Sequence, residues 1–435
     1  MSKRKLTKDP AASSAGIPSQ ILQTSSPPVI EDNGVESKLE KVFSTYSLDN
    51  KILDFVIPPS NFYTDLKSCT LVLQGALKKI VTDAGGVVTP DAAPCNNFIA
   101  SAFSAIEVFV NDVSVTKHTN FYPYLSYISR ITGDTTRSAE ELSAQFFNDD
   151  VSDLRTVANV GWWARKEASK EEKTFSVSGP LFAGIFLDSD SWLPPGNQIR
   201  VRLTQNDPNF CIDSATLGTG KTLNYNFHLS QCHLLVKRVN VADGIYRRHE
   251  ALESKNSKFF FPFYDRKIIS YSLATGETSS TSEILSANSI PTKVVVGLVD
   301  AKAFFGHAEK SPFVFKPYNL AEASLSLNGE SLITKAIDFD LDSQNFLYAY
   351  NEFDLAEPRR KFSITPKKFL RDTFLVTFNL NSSSIRNFCK SKTGALRCHL
   401  KFSKPLEQNL MVVCFLKSQS LMILSGQRNV EITDL

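Results

Sequence analysis

The stretch Ala215-Thr216-Leu217-Gly218-Thr219-Gly220-Lys221-Thr222 comes nearest to a reactive motif in this chain. Gly-rich turns that end in Lys-Thr cradle phosphates when they follow a buried strand and open a helix. Here Ala215 stands where the first Gly belongs, turn-like Asp207-Pro208-Asn209-Phe210 precedes, and an alternating, strand-like segment follows. That context favours a Gly-rich hairpin loop, and nucleotide binding rests on the loop alone.

Cys232-His233 and Cys398-His399 have the residue types of metal ligands. Both fall in alternating sequence, where adjacent side chains point to opposite faces of a strand. One member of each pair then faces away from any shared ion, and a buried thiol beside a surface imidazole is expected. His228 falls on the polar face of its strand, a solvated position. Asp338, Asp340 and Asp342 alternate with Phe339 and Leu341, which puts three carboxylates on one strand face. Such a row attracts Ca²⁺, but Ser343 stands where a calcium loop needs Gly. A solvated face or a subunit contact fits better.

Arg359, Arg360, Lys361, Lys367, Lys368 and Arg371 form the densest basic cluster, and Lys237, Arg238, Arg247 and Arg248 a second. Facing nucleic acid, either would contact phosphates. Pairing with acids such as Glu357 and Asp372, or with a neighbouring subunit, is the commoner arrangement. No Gly-x-Ser-x-Gly or His-Glu-x-x-His occurs, and the six histidines form no acid–base constellation. No catalytic, cofactor-binding or metal residue is therefore assigned, and an enzyme is not expected.

The elements around these residues read as β-structure. Val108-Phe109-Val110-Asn111-Asp112-Val113-Ser114-Val115 and Leu325-Ser326-Leu327-Asn328-Gly329-Glu330-Ser331-Leu332 make the same strand–turn–strand statement. Asn-Asp and Asn-Gly tolerate positive φ and mark tight hairpins. Each is followed by an aromatic-rich stretch: Phe121, Tyr122, Tyr124 and Tyr127, then Phe346, Tyr348, Tyr350 and Phe353. The turns, at Asn111 and Asn328, lie half a chain length apart in 435 residues, which suggests a duplicated β-sandwich.

Ile199–Leu203, Leu223–Leu229, Phe374–Leu380 and Leu396–Phe402 alternate apolar and polar residues, as half-buried antiparallel strands do. Val294–Val299 and Leu410–Leu416 are unbroken apolar runs, consistent with strands buried on both faces. The Phe-rich Phe259–Phe263 and Phe304-Phe305 read as core, some of it buried only on assembly. Helical patterns are few and short: a Ser138-x-x-Glu141 capping box, Ser343–Phe353, and a connection at Asp243–Glu253. Without regular strand–helix alternation, Rossmann and TIM folds are excluded.

With 42% hydrophobic residues and 32 Phe the chain has ample material for β cores. Its formal net charge of +3 is too small to imply a strongly nucleic-acid-binding surface. Polar Thr7, Lys8, Asp9 and Pro10 follow the basic start, so no signal peptide is expected, and no run of about 18 apolar residues spans a bilayer. Seven cysteines without metal spacing read as reduced thiols in a cytosolic or nuclear setting. The Asn381-Ser382-Ser383 glycosylation pattern would then be idle. Residues 1–37 read as a flexible N-terminal arm, whose first basic residues could touch nucleic acid or a neighbouring subunit.

Several strings taken in order resemble the double-jelly-roll major capsid proteins of Polinton (Maverick) elements and adintoviruses. In the first half these are Ile57-Pro58-Pro59-Ser60, Asn96-Asn97-Phe98-Ile99, Glu107–Asn111, Tyr122-Pro123-Tyr124, Gly179-Pro180-Leu181-Phe182 and Leu193-Pro194-Pro195-Gly196. In the second they are His249-Glu250-Ala251-Leu252, Pro291–Asp300, Ala303-Phe304, Ser311-Pro312-Phe313-Val314-Phe315 and the Asn328 hairpin. Ser311 departs from the Asn that relatives often carry before this Pro. The arm before Lys38 and the last twenty residues carry no resemblance.

The resemblance implies an all-β chain of two tandem eight-stranded jelly rolls, at 38–240 and 241–435, with short helices in the connecting loops. It implies a homotrimer, a pseudo-hexagonal capsomer of six jelly rolls that tiles an icosahedral shell around double-stranded DNA, with penton and minor capsid proteins as further partners. No cofactor is implied. The rival reading is a β-sandwich receptor- or glycan-binding virion protein of fibre or spike type.

Overall fold

The structure is a computed structural model. It describes residues 36–79, 92–116, 120–133, 139–148, 159–214, 225–287, 290–307, 309–332, 337–338, 346–355, 364–380 and 394–434.

In the first half the strands are β1 (Glu36–Phe43), β2 (Ile52–Ile57), β3 (Tyr63–Lys79), β4 (Ala92–Pro94), β5 (Phe103–Val110), β6 (Val113–Ser114), β7 (Phe175–Pro180), β8 (Ile199–Gln205), β9 (Ile212–Ser214) and β10 (Tyr225–Asn240). In the second they are β11 (Lys258–Leu273), β12 (Ser279–Ala287), β13 (Lys293–Asp300), β14 (Leu320–Leu327), β15 (Glu330–Ser331), β16 (Ile337–Asp338), β17 (Leu375–Asn379), β18 (Gly394–Phe402), β19 (Leu410–Ser425) and β20 (Val430–Asp434). The helices are α1 (Phe98–Ser101), α2 (Tyr122–Ile131), α3 (Ala139–Ser143), α4 (Val160–Ser169), α5 (Gly184–Asp188), α6 (Pro208–Cys211), α7 (Asp243–Ser254), α8 (Ala301–Phe304), α9 (Leu347–Leu355) and α10 (Pro366–Asp372).

Two main sheets build each half, and β4 pairs with β9 as a further two-stranded sheet in the first. In the first, the orders are β1-β10-β3-β7 and β2-β8-β5-β6. In the second they are β11-β19-β13-β17 and β12-β18-β14-β15, with β20 added beside β19 and β16 beside β14. The orders match position for position, so each half is an eight-strand jelly roll, and the chain is a double jelly roll. Among the described residues every strand pairing is antiparallel within one half, apart from a single parallel bridge, Phe315–Thr373.

The duplication extends to single hydrogen bonds. Asn111 and Asp112 take φ of 48° and 64°, and Asn328 and Gly329 take 50° and 88°, the left-handed turn that these residue types tolerate. The Asn111 side-chain oxygen accepts from Gln198 N at 3.0 Å, and that of Asn328 accepts from Ala395 N at 3.0 Å. Each Asn thus ties its hairpin to the start of the neighbouring strand, β8 or β18. The first residue beyond each turn strand closes the same way, Val115 N to Val108 O at 2.8 Å and Leu332 N to Leu325 O at 3.1 Å.

Alternation is visible in β8 and β18, whose inward residues Ile199, Val201, Leu203, Leu396, Cys398, Leu400 and Phe402 are buried. β13 and β19 are buried on both faces through Val294–Val299 and Leu410–Leu416. Phe374–Leu380 departs from expectation. It alternates as if one face were solvated, yet Leu375 and Thr377 on that face are also buried, because α9 lies across β17. Helix is also more plentiful than the sequence suggested. α2 and α4 have ten residues each, and Tyr and Ile in α2 disguise it as strand. The expected connection forms as α7 and the expected Ser343–Phe353 helix as α9, with residues 343–345 outside the described set. Ser138 of the capping box also lies outside it, just before α3.

Candidate functional site: the seam between the halves

The aromatic residues that follow the first hairpin build the seam. Every residue of α2 is buried. Tyr127 stacks on Phe313 of the second half, ring centroids 4.4 Å apart and planes 17° from parallel. Tyr124 stacks on Phe304 at 5.0 Å and meets Phe315 edge-on at 6.4 Å. Phe121 adds a tilted contact to Phe304 at 5.2 Å. Ring pairs of this kind contribute about 0.5–1.5 kcal/mol each beyond the area they bury. Gly297 lets this layer close, since a Cβ there would sit 2.5 Å from the Phe315 ring and 2.7 Å from Leu375. Beside the stack, Phe121, Tyr124, Phe210, Phe304 and Phe305 line an open cavity of about 330 Å³.

Polar clamps flank the rings. Asp188 at the end of α5 holds Arg266 of β11 with two bonds, 2.6 and 2.9 Å, and accepts from Tyr264 N at 3.0 Å. The Arg266 side chain is 1% exposed. Gly184 makes room for β11, because a Cβ there would lie 2.7 Å from the Phe263 ring. Lys293 Nζ, also buried, donates to Thr132 O at 3.4 Å. At the other end of the seam Asn111 donates to Arg428 O at 2.9 Å, so the first hairpin turn touches the β19–β20 turn. Tyr63 OH and His249 Nδ1 of α7 lie 2.5 Å apart, in a recess shared with Glu250, Glu253 and Arg428. Burial, then Arg248, pushes the His249 pKa below the ordinary histidine value. Burial raises that of Glu253, and Arg428 opposes the rise.

The residues singled out from sequence do not converge. The Gly218–Thr222 loop, Asp340 and Asp342, Arg359, Arg360 and Lys361, Asn381, and residues 1–35 lie outside the described residues, and Asp338 is described only as backbone in β16. Cys232 is buried on β10, and burial raises its thiol pKa. His233 is not the surface imidazole expected: it is 8% exposed, because Phe43 of the edge strand β1 covers it at 5.5 Å. Cys398 is fully buried, while His399 bridges Thr281 at 3.0 Å and Ser326 at 2.6 Å on the outer face of its sheet. His228 is exposed.

Arg238 leaves its basic cluster for the interior, 4% exposed. It donates to Glu40 at 2.9 Å, Thr64 at 2.7 Å and Pro58 O at 2.7 Å. Lys237 pairs with Asp65 at 3.5 Å and Arg371 with Asp372 at 2.6 Å. Burial pushes the Lys368 pKa down to about 8. These ties take Arg238 out of contact with any bound phosphate and engage Lys237 and Arg371 with carboxylates. Among the described residues no group of three or more His, Cys, Asp or Glu is placed to hold a metal ion, and no helix is long and apolar enough to cross a membrane. Phe260 and Phe305, expected as core, are 53% and 71% exposed.

Sequence reasoning missed the seam. Phe304, Phe313 and Phe315 stood out as aromatic, but nothing local says that they meet residues almost two hundred positions earlier. Asp188 and Arg266 carried no signal, since a charged residue in a short motif-free stretch reads as solvated.

No family model matches the sequence. An uncharacterized protein of Caenorhabditis elegans is 20% identical over 297 residues, 65% of this chain and 68% of that one. Among solved structures, a chain of the Sputnik virophage is similar with a TM-score of 0.65 at 13% identity, covering 100% of this chain and 95% of that one. The mavirus major capsid protein is similar with a TM-score of 0.57 at 11% identity, covering 100% and 96%. The Faustovirus major capsid protein gives 0.51 at 9% identity, covering 92% of each chain. At these identities the likeness is one of fold, and it spans both jelly rolls.

Proposed function

We propose that this chain is a viral major capsid protein: a homotrimeric, pseudo-hexagonal capsomer that tiles an icosahedral shell around a double-stranded DNA genome of a Polinton/Maverick-like virus or integrated element. One observation carries the reading. Two jelly rolls of identical strand order are fused in one chain and packed across a buried aromatic seam, and the fold is like that of virus capsid chains over its full length. A chain of two like halves that contact each other unlike-face to unlike-face already holds one contact of a ring, because repeating such a contact closes when the rotation divides a full turn.

In this reading residues 1–37 are the arm, whose last two residues, Glu36 and Ser37, already pair with β10 as the start of β1, 38–240 are the first jelly roll and 241–435 the second. The arm makes weak, non-specific contacts with packaged DNA, penton and minor capsid proteins complete the shell, and the protein assembles in host cytoplasm or nucleus and resides in the virion. The role needs no catalytic, cofactor-binding or metal residue. Negative-stain imaging of the purified protein tests it: particles of hexagonal outline support the capsomer, and elongated single-chain particles at every concentration count against it.

A further inference from the structure

Within one chain, the connection from β6 to β7 supplies α2, and the connection from β13 to β14 supplies α8, Phe313 and Phe315. Each half owns both kinds of connection. The counterpart of α2 in the second half is α9, between β15 and β17. The counterpart of the α8 connection in the first half runs from β3 to β5 and contains β4. α9 packs on β17 and α10, inside its own half.

Apolar side chains stay in water on α9, and on α4, the helix of the β6–β7 connection that covers β4. α2 is buried at every residue, whereas α9 buries Ala349 and Phe353 and leaves Leu347 45% and Tyr348 57% exposed. A helix that is apolar around most of its circumference is ordinarily covered on all sides. On the first half, α4 lies over β4. Arg165 Nε donates to Pro94 O at 2.8 Å, its guanidinium stands 3.6 Å from Asp213, and Trp162 packs on Ala93. That anchoring turns Val160 and Trp163 outward, 73% and 37% exposed.

We propose that Leu347 and Tyr348 of one copy dock on Val160 and Trp163 of the next, repeating between copies the contact that α2 makes within the chain. This contact rests on the homotrimer proposed above. Whatever operation carries the first jelly roll onto the second carries α2 onto α9 and the α8 connection's counterpart from the first half onto the second. Applied once more, it sets α9 against the β3–β5 connection of a second copy, where α4 presents its apolar side chains. The contact joins unlike surfaces, so three copies satisfy every one of them only by closing a ring.

Two experiments on the full chain test it. Leu347→Ser/Tyr348→Ser should raise the concentration at which the wild-type trimer dissociates at least tenfold in sedimentation velocity, with an unchanged far-UV melting curve. Val160→Ser/Trp163→Ser should do the same from the other side. Second, Tyr348→Cys with Val160→Cys, with Cys389→Ser to remove the one native cysteine outside the described residues, the other six being buried, should give covalent dimers and trimers on a non-reducing denaturing gel, and neither single cysteine should. A wild-type trimer whose dissociation is moved by neither double variant, and which yields no cross-link, overturns this contact while leaving the assembly in place. A wild-type chain that stays monomeric throughout overturns the assembly and the contact with it.

Discussion

Asp188→Ala should cost the protein about 3 kcal/mol. The substitution deletes both bonds to the Arg266 guanidinium and the acceptor of Tyr264 N. Hydrogen bonds to charged groups are worth about 1.5–3 kcal/mol each, and removing one partner of a buried pair costs about 3–5 kcal/mol because the other charge stays buried. Arg266 is 1% exposed but Asp188 is 17% exposed, so water can follow the deleted carboxylate to the guanidinium, which favours the lower end of that range. Against a typical total of about 5–15 kcal/mol this is a large loss. Urea unfolding should be read by tryptophan fluorescence and far-UV circular dichroism together. Trp162, Trp163 and Trp192 all lie in the first half, so fluorescence follows that half and dichroism follows both. Both midpoints should fall, because the clamp joins α5 of one half to β11 of the other. Asp188→Leu with Arg266→Met should recover most of the loss, since an apolar pair of similar volume replaces a buried ion pair at little cost. A loss under about 1 kcal/mol for Asp188→Ala would refute the reasoning, showing that solvent already screens the pair.

Tyr127→Ala and Phe313→Ala, combined in a double-mutant cycle, should show a coupling of about 1 kcal/mol, as stacked rings at 4.4 Å require; a coupling near zero in urea unfolding would mean that the rings only fill space. Gly297→Ala should destabilise by about 1–3 kcal/mol, seen as a lower melting temperature, because the new methyl meets the rigid Phe315 ring rather than a flexible chain end. Stability should also fall on mild acidification. His249 and His233 have lowered folded-state pKa values, so both forms are neutral above the ordinary histidine value of about 6.5, and below it the unfolded chain takes up protons first. His249→Gln should flatten the decline between pH 7 and 5 measured by urea titration, and an unchanged slope would show that His249 does not titrate there.

The strand plan was legible because period-2 patterns and Asn-Asp and Asn-Gly turns are local signals, and Asn111 and Asn328 even make equivalent bonds. Phe374–Leu380 misled because alternation reports the sheet's own faces and not a helix laid over them; α9 buries what the pattern would solvate. His233 misled for the same reason, through Phe43 of a strand nearly two hundred residues away. Arg238 looked like one of four surface cations, yet three acceptors drawn from β1, β3 and the turn at Pro58 bring it inside. The seam is non-local throughout. Tyr124 and Tyr127 were visible as aromatic, but their partners Phe304 and Phe313 could be assigned only once both jelly rolls had been folded against each other.

Sedimentation equilibrium of the purified full-length protein tests the central claim most directly. A capsomer subunit predicts a species of about 145 kDa, three times the 48.4 kDa chain, that persists on dilution. A single species of 48.4 kDa across the whole concentration range would contradict it.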